Sequence, residues 1–133
     1  LERTLLIVKP DAVSGGHTGD VISLVEKDRF TLLDMKMLTL DREDAARLYA
    51  PHRGKPFYDS LIEFMTSGPV VVCVLERDNA VTRLRELLGD TDSRKAAPGT
   101  VRALYGTDNQ KNAAHGSDSA DSFERECAIF FSL

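Results

Sequence analysis

The run VVVCVL at 70–75 does more than any other stretch to limit what this chain can become. It is apolar and largely β-branched, and six residues are too few for a core helix. It follows the turn signal Ser67-Gly68-Pro69, so it reads as a buried strand. TLLIV at 4–8 is a second such run. It stops at Lys9-Pro10-Asp11, because proline restricts the residue before it and withholds a ladder donor. Hydrophobic residues make up 42% of the 133, enough to surround these strands with a core that needs no disulfide.

The remaining patterns supply the other elements. Residues 19–30 place Val21, Leu24 and Val25 on one helical face, with Asp20 near the helix start. Residues 31–39 alternate, with Leu33, Met35 and Met37 on one side and Asp34 and Lys36 on the other. That predicts a strand with one buried and one wetter face. A short helix is expected near 42–49, carrying Ala45, Leu48 and Tyr49, and the segment PHRGKP at 51–56 breaks it. Further helices are expected near 58–66, with Leu61, Phe64 and Met65, and over 79–88, with Ala80, Val81, Leu84 and Leu88 inward. CAIFF at 127–131 reads as the last strand. This order allows a doubly wound parallel sheet, or an antiparallel split βαβ sheet with helices on one face. The polar face of the second strand favours the antiparallel sheet. Without internal repeats or a linker, residues 1–133 are expected to form one domain.

Composition excludes several classes. Lys and Arg number 17 against 21 Asp and Glu, for a net charge of −4. That suits a soluble protein with no nucleic-acid partner, although basic residues can still converge on a phosphate. Cys73 and Cys127 lie in apolar runs and read as buried, reduced thiols. No Cys/His cluster marks a metal site. No apolar run nears the ~18 residues of a membrane span, and no signal peptide is seen, so a cytoplasmic protein is expected. SGGHTG at 14–19 makes neither a P-loop nor a dinucleotide fingerprint.

Between 89 and 116 the apolar pattern fades. A loop longer than ~12–15 residues is usually functional or disordered. Near its end, in KNAAHGSDSAD (111–121), His115 sits among small residues outside any apolar period. Its accessible imidazole can offer a ring nitrogen as a nucleophile. Glu126, expected at the edge of the last strand, is a candidate to orient that ring, with Ser117 steadying the carboxylate. His17 reads as a surface residue, and His52 is left open. Lys9 at the end of the first strand, Arg85 and Arg102 are each ordinary surface charges alone. Together with His115 they can neutralise a polyphosphate. Phe57 and Tyr49, read singly, are core aromatics.

Five blocks in order, ERTLLIVKPDAV (2–13), KPFYDSLIEFMTSGPVV (55–71), RELLGDTD (85–92), APGTVRALYG (97–106) and NAAHGSDSADSFERE (112–126), resemble the nucleoside diphosphate kinases, the last matching the family's N-x-x-H-G-S-D signature. The resemblance implies a ferredoxin-like α/β (α+β) domain with a four-stranded antiparallel sheet covered by helices. It implies a ping-pong transfer of the γ-phosphoryl group of a nucleoside triphosphate, typically ATP, to a nucleoside diphosphate through a phosphohistidine. Mg2+ accompanies the nucleotide, held mainly by its phosphates and by no dedicated protein site. By position, His115 is the nucleophile, with Glu126 and Ser117 orienting it and Tyr49 beside it. Lys9, Arg85, Thr91 and Arg102 hold phosphates, and Lys9 and Asn112 reach the ribose. Phe57 stacks on the base, and Leu61 and His52 line the cleft. Ribo- and deoxyribonucleotides are the expected partners, and a homo-oligomer built from dimers is expected. A relative that binds without turnover, or a phosphohistidine carrier, is the alternative. Departures from the family pattern are Ala12 for a common glycine, Asn109 at a frequently apolar position against the base, Ser93 for a proline, and an end two residues after Phe131. Ser93 and that short end bear on oligomer size, Asn109 on the base site.

Overall fold

The computed structural model describes residues 1–131. Its strands are β1 (Glu2–Val8), β2 (Thr31–Leu38), β3 (Val70–Arg77) and β4 (Ala114–Gly116). Its helices are α1 (Pro10–Ser14), α2 (Thr18–Lys27), α3 (Arg42–Leu48), α4 (Tyr58–Met65), α5 (Ala80–Leu88), α6 (Val101–Tyr105) and α7 (Ala120–Phe130). The sheet order is β2-β3-β1-β4, and every pairing is antiparallel, as the wet face of β2 suggested.

β1 and β3 lie in the middle, which is why their sequences show no alternation. Leu6, Val8, Cys73 and Leu75 face α2 and α5, meeting Val21, Val25, Leu84 and Leu88. Leu5, Ile7, Val72 and Val74 face the other way, into a second cluster with Leu48, Leu61, Ile62, Met65, Cys127 and Phe130. Helices thus cover both faces of the sheet, where one face was expected. A run buried on both sides has no reason to alternate.

Two further sequence expectations fail. CAIFF is not a strand: α7 continues through Phe130 and turns Cys127 and Phe130 inward at helical spacing. A short apolar run has the same composition in either state, and here the N-cap decides. Ser119 accepts from the Ser122 amide and starts a helix that reaches this run. The fourth strand is instead Ala114–Gly116, inside the segment read as a loop, with His115 at its centre. Glu126 is consequently a helical residue, not a strand-edge one.

The second failure is β2. It is an edge strand, and its side chains at Leu33, Met35 and Met37 are 41%, 48% and 61% exposed instead of buried. A register shift between Leu32 and Asp34 interrupts its pairing with β3, and the helices do not cover it. Cys73 and Cys127 are buried free thiols, as expected.

Candidate active site

The strand pairing builds the site. β1 ends at Val8, and its neighbour β4 runs beside that end, pairing Ile7 with His115 and Val8 with Ala114. Lys9 therefore emerges next to His115, although the two are far apart in sequence. α7 packs over the same end of the sheet by burying Cys127 and Phe130, which brings the preceding Glu126 against the imidazole.

His115 Nε2 lies 3.1 Å from Glu126 Oε2. The Ser117 hydroxyl donates to the other carboxylate oxygen, Oε1, at 2.6 Å, so both oxygens are used. Burial pushes the Glu126 carboxyl up, but the bonds from His115 and Ser117 and the charge of Arg125 outweigh this and hold it below its ordinary value. An ionised carboxylate can only accept, so in the neutral imidazole this contact puts the proton on Nε2 and leaves Nδ1 its lone pair. The Tyr49 ring stands edge-on to His115, with centroids 6.1 Å apart. Its hydroxyl is buried without a hydrogen-bond partner among the described residues, and burial, then the Glu126 charge, push its pKa up.

His115 opens onto a cleft of about 420 Å³. Lys9, Tyr49, His52, Phe57, Leu61 and Arg85 line it, as do Thr91, Arg102, Asn112 and Glu126, while Ser117 lies behind Glu126. The two arms of the chain that close this cleft are the 3-10 turn Ala50–His52 with the start of α4, and the loop leading into β4. Phe57, at the entrance to α4, is 44% exposed, which departs from a core role and leaves a ring face open. His52 packs against it at 5.5 Å between centroids. His52 is held below its ordinary pKa by burial, then by Lys55. His17 lies elsewhere, bonded to Asp20 and stacked on Tyr105.

The cations are held open. Asn112 Oδ1 accepts from Lys9 Nζ at 2.8 Å, while Asn112 Nδ2 donates to the Thr91 carbonyl at 2.9 Å. Arg102 donates to the Gly89 and Ala114 carbonyls, each at 2.9 Å, and its Nε is buried without a partner among the described residues. Arg85 makes one long bond to the Gly116 carbonyl, at 3.4 Å. Among the described residues none of the three is in an ion pair. Burial, then the Arg102 charge, lower Lys9 to about 7, with Asp11 partly opposing. Arg102 falls to about 10 through burial and the charge of Arg85. Lys9 and Arg102 are buried while Arg85 is exposed, and buried cations without a paired charge are unfavourable, so an anion entering the cleft would offset that cost.

Three features were not read from the sequence. Arg125 donates to the Arg47 carbonyl at 2.8 Å and lies 3.6 Å from Glu126 Oε2. Asp118 lines the cleft and bonds Ser122. Asp11 binds the backbone of Ala113. Two of them had a local signal: Asp11 adjoins Lys9-Pro10, and Asp118 closes the N-x-x-H-G-S-D signature. Asn109 does line the cleft, beside Gln110, whose amide donates to Ser60 Oγ on α4 at 3.0 Å.

A ferredoxin-like α+β domain that sets a carboxylate-backed histidine among unpaired cations has the equipment of a phosphotransferase. The family model described as nucleoside diphosphate kinase matches residues 2–133. Nucleoside diphosphate kinase 2 of Protochlamydia amoebophila is 49% identical, over 98% of this chain and 92% of its own length. The nucleoside diphosphate kinase of Ignicoccus hospitalis is 48% identical, over 98% and 89%. Among solved structures, the Aquifex aeolicus enzyme superposes with a TM-score of 0.95 at 46% identity, covering 98% of this chain and 95% of that one. The Halobacterium salinarum enzyme in complex with CDP gives 0.96 at 44%, covering 99% and 88%. The chain belongs to the nucleoside diphosphate kinase family. It is a kinase that moves a phosphoryl group between nucleotides.

Proposed function

We propose that the transfer runs through a phosphohistidine on His115 and that the acceptor atom is Nδ1. The observation that carries this is the Nε2 to Glu126 contact at 3.1 Å, because it commits one ring nitrogen and frees the other. In the first half-reaction the Nδ1 lone pair forms a bond to the γ-phosphorus. The bond to the β–γ bridging oxygen breaks, and the nucleoside diphosphate leaves. In the second, a terminal oxygen of another nucleoside diphosphate takes the phosphoryl group and the lone pair returns to Nδ1. Glu126, with Ser117 behind it, steadies the imidazolium character that develops on the ring. Phosphoryl transfer asks mainly for positioning and charge neutralisation. Lys9, Arg85 and Arg102 supply the charge, and Thr91 joins them at the phosphates. Lys9 and Asn112 reach the ribose. Phe57 takes the base on its open face, with Leu61 and His52 beside it, and Tyr49 packs the ring of His115. Stacking tolerates every base, which suits a general nucleotide exchanger of ribo- and deoxyribonucleotides.

Mg2+ is the expected cofactor. It would be carried mainly on the nucleotide phosphates, as Mg2+ keeps few protein ligands when it binds a nucleotide. Bound there, it would neutralise phosphate charge, and Asp118, a carboxylate of the cleft lining, could help hold it. β2 supports a homodimer as the building block. Its outer backbone edge has no strand partner among the described residues, and Met35 and Met37 stand exposed on this strand. Residues 1–133 act as one catalytic domain on this reading, and two free buried thiols suit the cytoplasm. Among the described residues no helix is long and apolar enough to cross a membrane.

The test is intact mass after incubation with ATP and Mg2+, followed by GDP. One acid-labile phosphoryl group, absent in His115→Ala and discharged to yield GTP, is the expected result. A phosphoprotein indifferent to GDP would be a carrier, and a protein that binds nucleotide yet never gains the group would be a binding relative.

A further inference from the structure

Asp11 stands outside the cleft, in the first turn of α1, yet its carboxylate reaches the active-site segment. Oδ2 accepts from the backbone N–H of Ala113 at 3.1 Å, the one side-chain hydrogen bond Asp11 makes among the described residues. The Ala113 carbonyl in turn accepts from the Lys9 N–H at 2.8 Å. Both polar groups of Ala113 are thus held by residues 9 and 11. Ala113 is fully buried and has φ of +75°. The Ala114 N–H donates to the Asn112 carbonyl at 2.9 Å and closes a tight turn around it, a positive-φ conformation routine for glycine, not alanine.

What surrounds this kink is the site itself. Asn112, on one side, holds Lys9 Nζ and the Thr91 carbonyl. Ala114, on the other, gives its carbonyl to Arg102 and leads into His115. We propose that Asp11 is a positioning residue for phosphoryl transfer: with the Lys9 amide it clamps Ala113 in its left-handed conformation, and that kink sets His115 relative to Asn112 and Arg102. The proposal rests on His115 being the phosphoryl acceptor. Asp11 touches no reacting atom and acts through the backbone.

The clamp makes a prediction that a general stabilising role does not. Glycine adopts φ of +75° without strain, so Ala113→Gly removes the need for the clamp. Four proteins decide it: Asp11→Ala, Asp11→Asn, Ala113→Gly and the Asp11→Ala/Ala113→Gly double variant. Asp11→Ala should lose roughly 10- to 100-fold in kcat with KM changed little, since small misplacements cost about that much. Asp11→Asn should stay within about threefold of wild type, because its carbonyl oxygen accepts the same bond. Ala113→Gly should lie near wild type, and the double variant should regain about tenfold over Asp11→Ala. Urea unfolding of the same set reads the clamp without catalysis: Asp11→Ala should destabilise less in the Ala113→Gly background. Equal destabilisation in both backgrounds overturns the clamp. So does a folded Asp11→Ala with wild-type kcat, or Asp11→Asn as poor as Asp11→Ala, which would assign the effect to charge beside Lys9. If Asp11→Ala does not fold, the double variant must, and its failure also overturns the proposal. Stability coupling in a wild-type protein that forms no phosphohistidine would instead sink only the functional reading.

Discussion

Nucleotide binding should be coupled to proton uptake by Lys9. In the free protein this ammonium is buried beside Arg102 with no ion pair among the described residues, and its pKa falls from 10.5 to about 7. A polyphosphate placed among Lys9, Arg85 and Arg102 reverses the largest cause after burial, because it supplies the missing negative charge. The sign follows directly. Below pH 7 the free protein already holds the proton, and binding takes up almost none. Above pH 7 the free amine is neutral, the bound form is charged, and each complex must acquire a proton. Well above pH 7 that approaches one proton per ADP bound, and it shrinks as pH falls through 7. Affinity should consequently fall about tenfold, or about 1.4 kcal/mol, per pH unit from pH 7 until the bound-state pKa is reached. The assay is titration calorimetry with ADP at pH 8 in buffers of different ionisation enthalpy, on unphosphorylated protein, so that no turnover intervenes. The slope of observed enthalpy against buffer enthalpy is the proton count. Lys9→Arg is the control, since guanidinium stays charged throughout. A wild-type slope near zero at pH 8 would refute the reasoning, because it would mean Lys9 is already an ammonium in the free site despite its burial. The Asn112 contact at 2.8 Å survives either way, as a neutral amine still donates.

Further outcomes follow from the same geometry. Ser117→Ala removes the 2.6 Å donor to a buried carboxylate oxygen and should cost about 1.5–3 kcal/mol in urea unfolding at pH 7. Because the Glu126 pKa is depressed in the fold, that difference is present above its unfolded value near 4.5 and should shrink as pH falls through the folded value; a gap unchanged by acid would show that charge is not involved. Phe57→Ala should weaken every nucleotide alike by about 1–3 kcal/mol, measured as Kd for ADP, GDP and CDP; a loss confined to purines would mean that Phe57 is not a general stacking face. Gly106→Ala would drive a Cβ against Ser93 Oγ and within 2.8 Å of the Arg102 carbonyl, so about 1–3 kcal/mol of stability and some nucleotide affinity should go together. Thermal melting with and without ADP checks both, and a neutral Gly106→Ala would show that this packing relaxes freely.

The chain of residues alone determined a good deal. VVVCVL and TLLIV declared the two central strands, because strands buried on both faces need continuous apolar runs. The wet face of β2 pointed to an antiparallel sheet. The motif around His115 carried its chemistry in local sequence, as did the Lys9-Pro10 stop. Tertiary structure decided the rest. β4 is three residues long, too short for any period to show, and it exists because β1 offers an unpaired edge beside it. CAIFF has one composition whether helix or strand, and only the cap at Ser119 and the space against β1 and β3 made it the end of α7. Met35 and Met37 alternate as if buried, yet burial depends on what lies opposite, and β2 stands at the sheet edge. Which nitrogen of His115 is free, and which carboxylate holds Ala113, are also matters of approach in space. Asp11 and Ala113 are 102 residues apart, a separation across which sequence carries no distance.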